Sequence, residues 1–152
     1  MSDLDDILKK FEQRKSEEAS AVAIKAEQDK KRRIETIEKL NLMVLPEIDS
    51  VARRLIEAGH KAVIQNRLQD SPHFSVSLEM MPRSETDSFS DSHRKSKLTM
   101  RCYIPEIVAC EEKVYSYYGQ LEHKKVTRIE EVSAEWATNL LVSFVEKALR
   151  YG

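Results

Sequence analysis

The sequence predicts an α+β protein, with a long N-terminal helix, a second helix, an antiparallel meander of four or five strands and a C-terminal helix. Three observations lead to this order. Residues 2–43 contain helix-forming residues without any Gly or Pro. From Lys61 the apolar residues alternate with a period of two, and from Ser133 the helical period returns. Strands in one block with helices at the ends are typical of α+β proteins.

The first predicted element is a charged helix over residues 2–45. Acids lie four residues before bases along it, as in Asp5–Lys9, Glu27–Lys31 and Glu35–Lys39. Each such pair stabilises a helix by roughly 0.2–0.5 kcal/mol. An unbroken helix over 2–43 would be about 60 Å long at 1.5 Å per residue.

An apolar patch lies near the start of this helix, and a weaker apolar stretch follows it. The two sets at helical spacing are Leu4, Ile7, Leu8 and Phe11, and then Val22 and Ile24. The heptad positions between and after them are Lys15, Glu18, Lys25 and Asp29. A stable coiled coil needs apolar residues at these positions, so a coiled coil is an alternative that the middle of the helix disfavours.

Pro46 marks the predicted boundary between two domains. The residue before a proline disfavours helical geometry, so we expect a break or kink at Leu45. Pro46 then suits the first turn of a second helix, and Gly59 suits a left-handed stop after it. The sequence therefore predicts an extended helix at 2–45 and an α+β domain at 46–152.

The strands of the domain are predicted from alternation. Strands are expected at 61–67, 73–81 and 97–104, and in the last two of these segments apolar residues alternate with polar ones. Residues 106–118 fit either a helix after Pro105 or a strand, and the Val and Tyr content of 113–118 favours the strand. A last strand follows Gly119, and the final helix begins at its cap, Ser133. The polar segment 82–96 is a long loop with no assigned role.

Composition and charge exclude several classes of function. The 152 residues carry a formal net charge of -1, and the acids and bases are balanced in both predicted parts. The N-terminus has no apolar leader, and the longest apolar run, at 42–45, is too short for a membrane span. Two cysteines without a leader indicate free thiols and a cytoplasmic protein that does not enter a membrane.

Catalytic and metal sites lack support in the sequence. Cys102 and Cys110 lie eight residues apart and no two histidines are close, which is not the spacing of a zinc site. None of the three glycines forms a phosphate-binding loop, and no Ser or Cys stands in a nucleophile pattern. The sequence therefore predicts a non-enzymatic protein without a metal or cofactor.

Nucleic-acid binding is the alternative function. The candidate contacts are basic residues of the helix and of the loop, namely Lys30, Lys31, Arg32, Arg33, Arg94 and Lys95. Tyr103, Tyr115 and Tyr117 would offer stacking surfaces on one face of the sheet. Acids on both sides of residues 30–33 would repel phosphate, and four consecutive charges point all round a helix, so this function is not favoured.

The favoured function is protein interaction. The patch Leu4, Ile7, Leu8 and Phe11, with Val22 and Ile24, is expected to bind a protein partner or a second copy, a dimer being the favoured oligomer. The protein would act as an adaptor, an inhibitor or a subunit of a complex. No motif in the sequence identifies a family, and the partner is not predicted.

Overall fold

The computed structural model describes residues 2–70, 73–83, 95–104, 106–116 and 119–151. Two helices come first, α1 (Ser2–Lys39) and α2 (Leu45–Glu57), joined by a π-helical turn at Leu40–Val44. Five strands follow: β1 (Lys61–Arg67), β2 (Phe74–Met81), β3 (Ser96–Ile104), β4 (Ile107–Ser116) and β5 (Gly119–Arg128). A short 3₁₀ turn, Ile129–Glu131, leads to α3 (Ala134–Tyr151). The predicted α+β class and the order of its elements are confirmed.

The five strands form one antiparallel sheet in the order β1-β2-β3-β4-β5, so each strand pairs with its neighbour in sequence. Residues 107–116 are a strand, as the sequence favoured, and pair with both β3 and β5. The register shifts by one residue between Arg101 and Ile104, where β3 contains a bulge. The meander therefore has five strands, and β1 and β5 form its two edges.

The helical path does not break at Leu45, which corrects the expectation from Pro46. Leu45 has φ −59° and ψ −42°, and its N–H donates to the carbonyl of Leu40, five residues earlier. A proline normally clashes with the carbonyl four residues before it, here that of Leu42. The wider π turn at Leu40–Val44 changes the spacing of the carbonyls at this point, which lets Pro46 follow without ending the helix.

The chain divides into two units, Met1–Glu35 and Thr36–Gly152. The second unit begins ten residues before the expected boundary because Leu40 and Val44 are fully buried in its core. Lys39 also donates to the carbonyl of Ile129 at 2.6 Å within this unit. We call Met1–Glu35 the N-terminal unit and Thr36–Gly152 the C-terminal unit.

The core of the C-terminal unit lies between the sheet and the helices α2 and α3. Its sheet side comes from alternate residues of the central strands, including Val76, Leu78, Leu98, Met100 and Val108. The helical side contains Ile48 and Leu55 of α2 and Leu141, Phe144 and Ala148 of α3. The alternation in the sequence thus sends one face of each central strand into the core.

Local signals end α2 and begin α3 as predicted. Gly59 has φ +91°, and the N–H of His60 donates to the carbonyl of Leu55, which closes the helix end. At the start of α3 the Ser133 hydroxyl accepts from the N–H of Trp136 at 3.0 Å. Thr138 donates to Glu47 at 3.0 Å and joins α3 to α2.

Candidate functional site

The N-terminal unit carries the predicted interaction residues on one continuous α-helix. We call Leu4, Ile7, Leu8 and Phe11 the N-terminal patch. Their side chains are 52–63% exposed, so nothing described in the chain buries them. The spacing of three and four residues places them side by side over two turns. The helix thus presents a compact apolar surface to solvent.

Val22 and Ile24 do not form one surface with each other. Both are exposed, at 69% and 57%. Val22 follows Leu4 by 18 residues, which is five full turns, so it lies on the side of the N-terminal patch. Ile24 is rotated by about 200° from Val22 and points away from that side. Val22 therefore lies on the same side of α1 as the N-terminal patch, and Ile24 lies on the opposite side.

Charged residues interrupt the apolar side between the N-terminal patch and Val22. The Lys15 ammonium lies 5.7 Å from the centre of the Phe11 ring, within range of a cation–π contact. The same ammonium is 4.0 Å from the Glu18 carboxylate, and both side chains are largely exposed. The N-terminal patch is therefore a short exposed apolar surface with a cationic end at Lys15.

The predicted basic residues that the structure describes are divided between the two units. Lys30–Arg33 are consecutive on α1, so their side chains are spread around the helix, and Arg32 and Arg33 have interaction partners. Lys95 lies 3.5 Å from Glu79, which partly neutralises it. Arg94 lies outside the described residues. The helical cluster thus belongs to the N-terminal unit, and Lys95 of the loop belongs to the C-terminal unit.

The sheet has a second basic surface that the sequence-based alternative only partly named. We call the side of the sheet turned away from α2 and α3 its outer face. By register, the charged residues described on it are Lys61, Arg67, Lys97, Arg101, Lys113, Lys124 and Arg128, with Glu79, Glu111 and Glu122. Half-buried Tyr115 lies on this face; Tyr117 and the side chain of Tyr103 are outside the described residues. The outer face is therefore net positive although the chain is not.

A buried acid lies on the other side of the sheet, where α3 ends. Glu112 of β4 is only 4% exposed and accepts from Lys147 of α3 at 2.9 Å. Together with His123 and Arg150 these side chains line a cavity of about 270 Å³. One signal in the sequence could have indicated this pair: Glu112 shares the inward face of β4 with Val108, Cys110 and Val114.

An apolar groove runs between α2 and α3. It has a volume of about 450 Å³, and its polar lining residues are Arg54, His60 and Glu146. Its apolar lining is Val51, Leu55, Ala58, Val142, Val145 and Leu149. Val142 and Leu149 lie one heptad apart on α3 and are exposed, at 56% and 41%. Their spacing was the signal that could have indicated the groove.

The two thiols are core residues. Cys102 and Cys110 are free and buried on neighbouring strands. Burial raises the pKa of each thiol to about 12. The pKa of Cys102 is raised further by the charge of Cys110, and the pKa of Cys110 is raised further by the charge of Glu112. Thiols with such a pKa are neutral and unreactive at physiological pH. Among the described residues, no group of three His, Cys, Asp or Glu side chains is placed to hold a metal ion.

The comparisons with known proteins give no relative: no family model, no curated protein and no solved structure matches this chain. Within the described part of the chain, none of the helices combines the length and the apolar character needed to cross a bilayer. Any function must therefore be inferred from the surfaces described above.

Proposed function

We propose that this protein is a non-enzymatic interaction protein of the cytoplasm, an adaptor, inhibitor or complex subunit, which docks through its N-terminal helix. The observation that supports this most is the exposure of all four residues of the N-terminal patch on a continuous helix. Exposed Leu, Ile and Phe at helical spacing suit recognition of a helix in an apolar groove. The partner is a protein with such a groove, or a second copy.

The size of the N-terminal patch determines the affinity that we expect for docking. Each of its side chains is about half exposed, so burying the remainder contributes on the order of 1 kcal/mol per residue. Part of this gain is offset by the loss of translational, rotational and side-chain freedom on binding. We therefore expect a reversible, micromolar interaction unless further contacts along α1 support it.

A paired substitution tests this function. Changing Leu8 and Phe11 to Asp should abolish docking and leave the melting of the C-terminal unit unaltered, because these side chains are outside its core. Ile24→Asp is the matched control, since it also adds an acid at an exposed apolar position but on the opposite side of α1. Affinity capture from the native cell and light scattering on the purified chain would measure docking and self-association.

Two outcomes would contradict the proposal. Loss of the fold in the Leu8→Asp/Phe11→Asp variant would show that the N-terminal patch is part of a core. Equal retention of partners by wild type and this variant would show that docking uses another surface. If the wild type is a monomer at tens of micromolar, the homomeric version of the proposal fails and only a different protein can be the partner.

Nucleic-acid binding is the second candidate, and the outer face of the sheet favours it. Seven Lys or Arg against three Glu on that face, with Tyr115 among them, combine positive charge with a ring for stacking. A single-stranded oligonucleotide titrated across salt concentrations tests it, because each phosphate contact adds to the salt slope. Arg101→Glu should weaken binding; absence of affinity at low salt would remove this candidate.

A further inference from the structure

Strand β5 is an edge strand with unusual exposure. It runs for ten residues, Gly119–Arg128, and pairs with β4 on one side in the described sheet. Nine of the ten residues are exposed, Thr127 being the exception. Alternate N–H and C=O groups of such a strand point away from the sheet and are available to another strand. It has neither a bulge nor a proline, the features that commonly protect edges.

We propose that β5 pairs antiparallel with β5 of a second copy, on a two-fold axis through His123, and so joins the two sheets into one. The axis is perpendicular to the sheet, so each face of one sheet continues into the same face of the other. Two residues that lie opposite each other across the axis must therefore belong to the same face. Because faces alternate along a strand, the possible registers differ from one another in steps of two residues.

The register centred on His123 has complementary charges. On the outer face it places Glu122 of each copy opposite Lys124 of the other, which gives two ion pairs. On the inner face it places Leu121 opposite the aliphatic part of Lys125. The pairing covers 119–127 of both copies, almost the whole strand. Opposite charges directly across strands stabilise a sheet, whereas like charges destabilise it.

The neighbouring registers are unfavourable, so the charges select one arrangement. Centring the axis on Lys124 brings the two Lys124 side chains together, and centring it on Glu122 brings the two Glu122 side chains together. Lysines on an edge normally discourage pairing. In the register centred on His123, each Lys124 lies opposite Glu122 of the second copy. Lys124 therefore favours this one register and does not prevent pairing.

The opposite edge of the sheet does not have this property. Strand β1 has seven residues, and its centred self-pairing would place Lys61 of one copy opposite Arg67 of the other, twice. The repulsion and the shorter overlap both disfavour an interface there. The second copy is therefore assigned to β5.

Charge reversal on the full-length chain tests the pairing. Glu122→Lys alone and Lys124→Glu alone each place like charges opposite each other in the symmetric dimer. We expect the dissociation constant of each variant to rise roughly tenfold or more, measured by analytical ultracentrifugation. Within one chain Lys124 lies 3.8 Å from Glu111, so the melting of each variant is recorded to confirm that it folds.

Mixing the two variants provides the decisive result. The Glu122→Lys chain carries two lysines and the Lys124→Glu chain two acids at these positions, so the mixture should form a heterodimer at concentrations where each variant alone is monomeric. Glu130→Lys, an exposed charge reversal outside β5, should leave the wild-type dimer intact.

Three results would overturn the inference: a wild-type monomer at tens of micromolar, single variants that dimerise as wild type does, or a mixture that stays monomeric. The second and third results do not bear on docking by α1, because Leu8 and Phe11 are unchanged in these variants. A wild-type monomer would also exclude self-association through α1, but it would leave docking on a different protein open. The Leu8→Asp/Phe11→Asp variant should conversely retain pairing through β5.

Discussion

Two phenylalanines show how differently the two units are built. Phe11 of the N-terminal unit is 55% exposed, whereas Phe144 of the C-terminal unit is completely buried. The N-terminal unit is a helix maintained by residue propensity and local charge pairs. The C-terminal unit is a sheet and two helices around one apolar core. Buried apolar area stabilises the second unit and contributes little to the first.

The difference separates two uses of apolar residues. In the C-terminal unit, they lie on the face that each element turns to its neighbours, and substitution should change folding. In the N-terminal unit, the same residue types remain in water, and substitution should change association. Isolated helices longer than about 15 residues can form by local interactions alone, and α1 has 38 residues.

The largest effect is expected from truncating the two phenylalanines. Phe144→Ala leaves a cavity in a closely packed core and should lower the free energy of unfolding by about 3–5 kcal/mol. Phe11→Ala should change the unfolding of the C-terminal unit by less than about 0.5 kcal/mol. Urea titration followed by Trp136 fluorescence measures both. Comparable losses in the two variants would abolish the distinction between the units.

The next effect concerns a buried and an exposed ion pair on α3. Lys147→Met removes the cation beside Glu112, which is 4% exposed, and should cost about 1–3 kcal/mol. Arg150→Met removes the partner of Glu146, but both side chains are over 60% exposed and the cost should stay below about 0.5 kcal/mol. Chemical denaturation compares the two variants, and equal costs would contradict the role given to the burial of Glu112.

The thiols predict a dependence of stability on alkaline pH. Burial raises the pKa of Cys102 and Cys110 from 9.0 to about 12, so the unfolded chain loses these protons first. The contribution of the thiols to the free energy of unfolding is complete below pH 9. It is lost between pH 9 and 12, at up to about 1.4 kcal/mol per pH unit for each thiol. Under reducing conditions, Cys102→Ala/Cys110→Ala should show a shallower alkaline decline than wild type. If the stability of the variant and of the wild type declines equally steeply with pH, the raised pKa of the two thiols is refuted.

The smallest effect is expected at two serines. Ser133→Ala removes the cap of α3 and should destabilise the C-terminal unit by about 1 kcal/mol. Ser20→Ala, in the middle of α1, should instead raise helix content slightly because alanine has the higher propensity. Circular dichroism and urea titration separate the two responses; a loss of stability from Ser20→Ala would indicate an unrecognised contact of that side chain.

Much of the fold was predictable because its signals are local. Alternation in 73–81 and 97–104 reports which face of each strand is buried, and Ser133 and Gly59 mark helix ends by their own geometry. The helix through Pro46 was not predictable in the same way. The π turn at Leu40–Val44 is formed where Leu40 and Val44 enter the core, and this requires the sheet and α3, which lie far away in sequence.

The candidate site was predictable only where it depends on a single helix. The N-terminal patch follows from the helical period, whereas the grouping of Val22 with Ile24 neglected the rotation of about 200° between residues two apart. The buried Glu112–Lys147 pair and the outer face of the sheet depend on strand register, which the sequence left open. Surfaces assembled from several elements were therefore found only in the structure.

Hydrogen exchange of the full-length chain, read peptide by peptide by mass spectrometry, tests the central division most directly. We predict that the amides of residues 3–30 exchange orders of magnitude faster than those of β2 and β3, because no core covers the N-terminal patch. Exchange in β2 and β3 should be identical in the Leu8→Asp/Phe11→Asp variant. Protection of residues 3–30 equal to that of β3 in the monomeric protein would show that the helix belongs to a core, and would contradict the proposed docking role.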